Sequence, residues 1–500
     1  TSGSTVTSSV TARQMNIYGG MRMGGSSYYG LNVLNPSSPK SLFRVDSSTS
    51  GFDRLGQTWS KPVLANIRYG NNITRVMIVG GGYDECYESP SFTLASSGDD
   101  STCSTRTKAK GNAVYMINAK TGALIWSATY SSTATDGKQY MKHSIVSRIS
   151  TLDRDADGLI DHIYFGDLGG QVFRADFNNN ATATGGFGKR VVRLANLATN
   201  DTTNDPGNDY TGAKAPRFYV QPTVTIHDEG VNTFILLGIA SGDRSTPLDV
   251  YPIQGREGMS PANALSDRPV NNIYGIIDRD FIRPDLISGT PTLESQNKTR
   301  ADFKKNPQVL ATGETVASLF FPTSGIGRAG WYRSLSSKSS SATTINNIEK
   351  ADGSFRIKGG MKAFEEEPIA ITNNLLVPVY DPQGTGIIQQ DPCKPRVIGE
   401  TDWQRFCLPY GACLNTNGTL NTALEMKSGF QTKTTGCPAG VSECNDNVIG
   451  AGIRGITFVP KPDSTPGSCG KLTMAGNTQG TGEWQCTSRL VQTRWYERYR

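Results

Sequence analysis

A strand–turn–strand pattern that recurs along the 500 residues constrains this chain more than any other feature. One element is a short strand entered after a polar or proline residue. It is seen in Ser60-Lys61-Pro62-Val63-Leu64-Ala65, His143-Ser144-Ile145-Val146-Ser147, Val220-Gln221-Pro222-Thr223-Val224 and Glu366-Glu367-Pro368-Ile369-Ala370. A second, apolar strand follows each time: Val76–Gly80, His162–Gly166, Phe234–Gly238 and Leu375–Val379. A third alternates apolar and polar residues, as in Ala113–Asn118, Gln171–Asp176 and Asn272–Ile277, and a fourth returns at Ala123–Ser127 after the turn Lys120-Thr121-Gly122.

Strands of this length, joined by Gly/Asn/Asp turns and repeated in fours, describe propeller blades. About seven units are legible, centred on 15–45, 59–130, 143–194, 218–285, 307–335, 362–410 and 447–495. A single compact core stops growing at roughly 250–300 residues, so a repetitive body suits this length. The expectation is an all-β, modified seven-bladed β-propeller over 15–500, preceded by a linker over 1–14. Its first unit opens mid-pattern at Asn16. Long Ser/Thr/Asn/Gly-rich insertions at 84–111, 195–216, 286–306, 336–360 and 411–446 read as surface loops, where binding usually resides.

Composition excludes several classes. A net charge of +6 is too mild for a nucleic-acid stripe. The longest apolar run, Thr233–Ala240, falls far short of the roughly 20 residues of a membrane-spanning helix, so no transmembrane segment is expected. No signal peptide opens the chain, which reads as a processed protein or an excised domain. No GxSxG, HExxH or GxxxxGK[ST] motif occurs, and His143, His162 and His227 each read as ordinary strand residues. The expectation is no enzyme. The 9 cysteines show no CxxC pair, so they read as local disulfides of an oxidising compartment. Cys86–Cys103 and Cys469–Cys486 are the expected pairs; the pairing of the other five is left open.

One motif carries sharp chemistry. Asp153-Arg154-Asp155-Ala156-Asp157-Gly158-Leu159-Ile160-Asp161 matches the first nine positions of an EF-hand loop. Calcium takes six to eight oxygens, so alternate carboxylates must curl around it, and Gly158 permits the turn. The expected ligands are Asp153, Asp155, Asp157, the Leu159 carbonyl and Asp161, with Ile160 pointing away into the core. Position 12 is Tyr164 rather than glutamate, and no helices flank the loop. The expectation is therefore an EF-hand-like Ca2+ loop grafted into a β-hairpin, with Mg2+ disfavoured.

Together, the repeats and this loop resemble the C-terminal domain of the PilY/PilC family of type IV pilus-tip proteins. The resemblance is carried by Tyr18–Val33, Asn35–Lys40, Val79–Asp84 and Tyr164–Asp176, and loosely by Leu490–Trp495. It implies a modified seven-bladed propeller that supports pilus biogenesis, twitching motility and adhesion to host cells or abiotic surfaces. It also implies minor pilins as partners and a place at the pilus tip, reached through the periplasm, with association with the outer membrane as a further option. Calcium in the loop would oppose pilus retraction. No Arg-Gly-Asp motif is present, so integrin binding does not carry over.

Two other readings compete. The turn Asn118–Trp126 is similar to the tryptophan-docking turns of quinoprotein dehydrogenases, but Trp126 is nearly alone in its pattern, which favours packing between blades. The third reading is a purely structural scaffold whose loops dock minor pilins.

Overall fold

The computed structural model describes residues 14–89, 91–205, 209–230, 232–245, 247, 271–335, 348–349, 355–356, 362–364, 367–371, 373–381, 400–421, 431–433, 444–446, 450–451, 457–461 and 471–475. Its first sheet holds β1 (Asn16–Gly20), β2 (Tyr28–Asn32) and β3 (Lys40–Val45), in that order. The second is a meander of β4 (Val63–Tyr69), β5 (Asn72–Gly80), β6 (Ala113–Asn118) and β7 (Leu124–Thr129). The third contains β8 (Ser150–Leu152), β9 (His162–Gly166), β10 (Gln171–Phe177) and β11 (Gly188–Asn196).

The fourth contains β12 (Thr223–Glu229), β13 (Asn232–Ala240) and β14 (Asn272–Asp278). Next in the chain, β15 (Lys298–Thr299) pairs back in parallel with β11 at Ala195 and Asn196. The fourth sheet is then completed by β16 (Phe303–Lys305) and β17 (Gly330–Ser334), with β17 lying between β14 and β16. A small hairpin, β18 (Ile348–Glu349) with β19 (Phe355–Arg356), precedes the fifth sheet. That sheet holds β20 (Lys362–Ala363), β21 (Ile369–Ile371), β22 (Asn374–Asp381) and β23 (Glu400–Cys407). Two further pairs are β24 (Gln431–Lys433) with β25 (Cys444–Asp446) and β27 (Thr457–Lys461) with β28 (Lys471–Ala475), while β26 (Gly450–Ala451) joins the edge of β23.

Consecutive sheets stack face to face, which explains why their central strands are apolar on both faces. In β13, Ile235, Leu237 and Ile239 pack with Tyr164 and Val172 of the third sheet. Phe234, Leu236 and Ala240 of the same strand pack with Leu375, Val377 and Val379 of the fifth. The strand period of two thus feeds two separate cores from one strand. The same rule joins the second and third sheets through Ile78, Met116, Ile163 and Phe173. Gly122, with φ +76°, lets its turn approach Phe43 of the first sheet, where a Cβ would sit 2.6 Å from the Phe43 Cβ.

Two expectations are corrected. The unit expected over 307–335 is not a separate sheet. Its strand β17 pairs with β14, from Asn272↔Ser334 to Ile276↔Gly330, because β14 otherwise presents an open edge. Val316–Phe320 within that unit forms a capped helical turn instead of a strand. His143–Ser147 is also not a strand. Its backbone is satisfied by loops, through Ile145 N to Gly111 O and Gly82 N to Ile145 O, and the ladder partner of β9 is β8. His143 therefore sits in a bend, whereas His162 and His227 lie on strands as expected.

Of the expected disulfides, Cys86–Cys103 is present, and Cys407–Cys413 forms as well. Cys469, Cys486 and the segment Leu490–Trp495 lie outside the described residues, as does the linker apart from Gln14. Among the described residues, no helix is long and apolar enough to cross a membrane.

Candidate metal centre

The acidic loop joins β8 to β9, and the pairing Leu152↔His162 closes it into a hairpin. Asp161 N donates to Leu152 O at 2.9 Å, which holds the two ends together. At the tip, Ala156 (φ 60°) and Gly158 (φ 90°) both take the left-handed conformation that tightens the turn. Leu159 and Ile160 are buried, and Ile160 belongs to the core shared by the second and third sheets, as expected from its position. Its amide donates to Asn66 O at 3.0 Å, so the loop is anchored to β4 as well as to its own hairpin.

The carboxylates turn inward. One oxygen each from Asp153, Asp155 and Asp161 lies within 4.8 Å of the others. Asp153 is oriented by two amides, Gly158 N at 2.8 Å and Asp157 N at 3.2 Å. Asp161 accepts from Arg154 N at 2.9 Å and from Asn179 Nδ2 at 3.3 Å. Burial raises the Asp161 carboxyl above its ordinary pKa, and Asp155 adds to the effect, against the lowering by the Arg154 amide. Asp157 does not join this group: its Oδ1 instead accepts from Leu159 N at 2.8 Å.

Three of the four expected carboxylates are thus brought together, while Asp157 is turned to the Leu159 amide. The donor set suits a hard cation: oxygens only, several of them anionic, in a loop whose amides already point at the carboxylates. Residues remote in sequence also hold the loop. Asn179 bridges Ile160 O at 2.9 Å and Arg68 N at 2.9 Å. Arg154 reaches the Phe281 carbonyl at 3.0 Å. The run Asn178-Asn179-Asn180 reads only as a turn, so neither bridge had a signal in the spacing.

Behind the loop lies a fully buried polar cluster. His162 Nδ1 is 2.8 Å from Asp176 Oδ1, and Arg174 Nε lies 2.7 Å from the same oxygen. Arg174 Nη1 then reaches Asp278 Oδ2 of the fourth sheet at 2.6 Å. Burial opposes ionisation of Asp176, but Arg174 and His162 outweigh it and hold the carboxyl at about 2. Elsewhere, Trp126 packs edge-on against Phe177 of the third sheet at 4.9 Å, so it serves the sheet interface.

Stacked four- and five-stranded sheets with an acidic hairpin loop define a class of all-β domain, and known proteins share its fold. The crystal structure of the Pseudomonas aeruginosa PilY1 C-terminal domain superposes with a TM-score of 0.53 at 16% identity, covering 94% of this chain and 80% of that one. In sequence, the chain is 29% identical over 167 residues to the type IV pilus biogenesis factor PilY1 of Pseudomonas aeruginosa. It is 24% identical over 325 residues to the PilY1 homolog of Xylella fastidiosa. These matches cover 33% and 63% of this chain, but only 11% and 18% of the relatives' lengths. No protein-family model matches. In sequence the chain is thus similar, at modest identity and over a small part of their length, to PilY1-type type IV pilus biogenesis factors.

Proposed function

We propose that this chain is the calcium-binding domain of a type IV pilus-tip protein. In this reading, its sheets form the modified seven-bladed propeller implied by the family resemblance, spanning 15–500. With 307–335 absorbed into the fourth sheet, the number seven rests on that resemblance and not on the repeats. The observation that carries the reading is the convergence of Asp153, Asp155 and Asp161 on a hairpin of a PilY1-like fold. Bound Ca2+ would supply the positive charge that lets the carboxylates remain close; Asp157 and the Leu159 carbonyl would complete the shell. The protein's own part is to aim Asp153 through two amides and to brace Asp161 through Arg154 and Asn179.

The relatives are named as biogenesis factors, which supports a role in pilus biogenesis. Calcium occupancy is proposed to bias pilus extension against retraction, with minor pilins and a host or abiotic surface as partners at the cell exterior. The test has two arms. Calorimetry should show calcium binding that is lost in Asp155→Ala. Asp157→Lys should alter retraction and twitching; unchanged twitching would leave the loop a mere stiffener of its sheet.

A further inference from the structure

We propose that a cavity of about 720 Å³ beside strand β11 binds the carboxylate of an acidic saccharide, such as a hexuronic-acid unit. None of its lining residues belongs to the acidic loop, so the proposal stands independently of the calcium reading.

The cavity is preformed. Its floor is β11 from Lys189 to Arg193, and its walls are the loops 133–140 and 290–297. One wall is pinned where Asp136 Oδ2 accepts from Val191 N at 3.1 Å. The other is pinned by Asn297 N to Arg193 O at 2.7 Å and by Arg190 Nη2 to Gly289 O at 2.9 Å. Both walls are thus fastened to the floor by hydrogen bonds, as ligand sites usually are before the ligand arrives.

Its charge is unbalanced. Lys138, Lys189, Arg190 and Arg193 line it against one carboxylate, Asp136. That carboxylate is already engaged by the amides of Val191 and Lys138 and by Lys138 Nζ at 3.6 Å. Arg190 is spent on carbonyls and on Asp176. Lys189 makes no hydrogen bond or ion pair among the described residues. It is the extra residue of a β-bulge, since Asp176↔Arg190 is followed by Phe177↔Gly188, and such bulges re-aim a side chain.

Arg193 complements it. Its guanidinium lies 3.4 Å over the Tyr140 ring, with Nε on Asn297 Oδ1 and Nη1 on Gln171 Oε1, both at 3.1 Å. The remaining terminal nitrogen makes no hydrogen bond among the described residues. A stacked guanidinium held on two sides, lining the same cavity as an unpaired ammonium, is suited to a planar carboxylate. The rim is hydroxyl- and amide-rich, through Thr133, Thr135, Thr290 and Gln296, which matches a polyol better than an apolar peptide.

The experiment is a calorimetric titration of the whole chain with sodium glucuronate, glucose and sodium sulfate. Glucuronate is expected to bind more tightly than either control. Lys189→Gln should weaken it roughly tenfold, the loss of one charge-assisted hydrogen bond, without lowering the melting temperature. Arg193→Gln should weaken it too; because that change also unpacks Tyr140, Lys189→Gln carries the decision. Absence of glucuronate binding, sulfate binding equal to it, or an unaffected Lys189→Gln would each overturn the proposal.

Discussion

Arg174 Nη1 lies 2.6 Å from Asp278 Oδ2, and the pair crosses from the third sheet to the fourth with both side chains fully buried. The same guanidinium holds Asp176, which Arg190 Nε also approaches at 3.6 Å, so Arg174 links two carboxylates from different sheets. Removing one partner from such a cluster strands a charge without water. Arg174→Met, which leaves Asp278 without a cation, is therefore expected to destabilise by about 3–5 kcal/mol. A three-fold replacement of Arg174, Asp176 and Asp278 by apolar residues should cost much less. Urea midpoints of the two variants check the ordering.

Asn179 braces the acidic loop without being an acid. Its amide holds Asp161 and the Ile160 carbonyl, so it positions a proposed ligand from outside the loop. Asn179→Ala is expected to weaken calcium binding by about 10–100-fold, the usual effect of losing an outer-shell partner. Affinity unchanged within error would show that the hairpin alone positions Asp161.

Two buried groups oppose each other in acid. Burial pushes Asp167 up to about 7, despite hydrogen bonds from Gln171 and Gly169. Burial, with Arg217 and Lys142 nearby, holds His143 down at about 4. Between pH 4 and 6.5, the folded protein keeps a proton on Asp167 that the unfolded chain has lost, so this group makes stability fall as pH rises. In the same window the unfolded chain protonates His143 while the folded protein does not, so this group makes stability rise with pH. The two slopes offset each other in the native chain. Asp167→Asn removes the first and should show stability climbing across the window, as read by urea midpoints at its two ends.

The Cys86–Cys103 bond closes a loop of sequence separation 17 within the insertion 84–111. That insertion is docked at its base, where Arg217 Nη1 and Ser245 Oγ both reach the Tyr87 carbonyl at 3.1 Å. Replacing both cysteines by serine should cost about 3 kcal/mol by loop-closure entropy. Because the docking contacts remain, only the far part of the loop should become protease-sensitive. Cleavage at Tyr87 itself would show that the bond also holds the base in place.

Local pattern made much of this fold legible. Strands β5, β9, β13 and β22 coincide with the apolar runs that announced them, because a strand buried on both faces has to be apolar throughout. The inward turn of Ile160 followed from its place between Leu159 and Asp161 in the loop spacing. Strand β17 was misassigned because its partner β14 lies across a long insertion, and pairing at that distance leaves no local trace. Asn66 and Arg154 escaped for the same reason: each meets its target through the stacking of sheets, as Asn179 does at Arg68. Asp157 had the right spacing, but its side chain closes a local turn on Leu159 N, an alternative that short acidic side chains always have.

A crystal structure of this chain grown with calcium, with anomalous scattering used to locate the ion, decides whether the acidic loop is a calcium site. One Ca2+ is expected at about 2.3–2.6 Å from carboxylate oxygens of Asp153, Asp155 and Asp161, with Asp157 swung in toward it. Anomalous density elsewhere with this loop empty, or an occupied loop in which these three carboxylates point away from the ion, would contradict it.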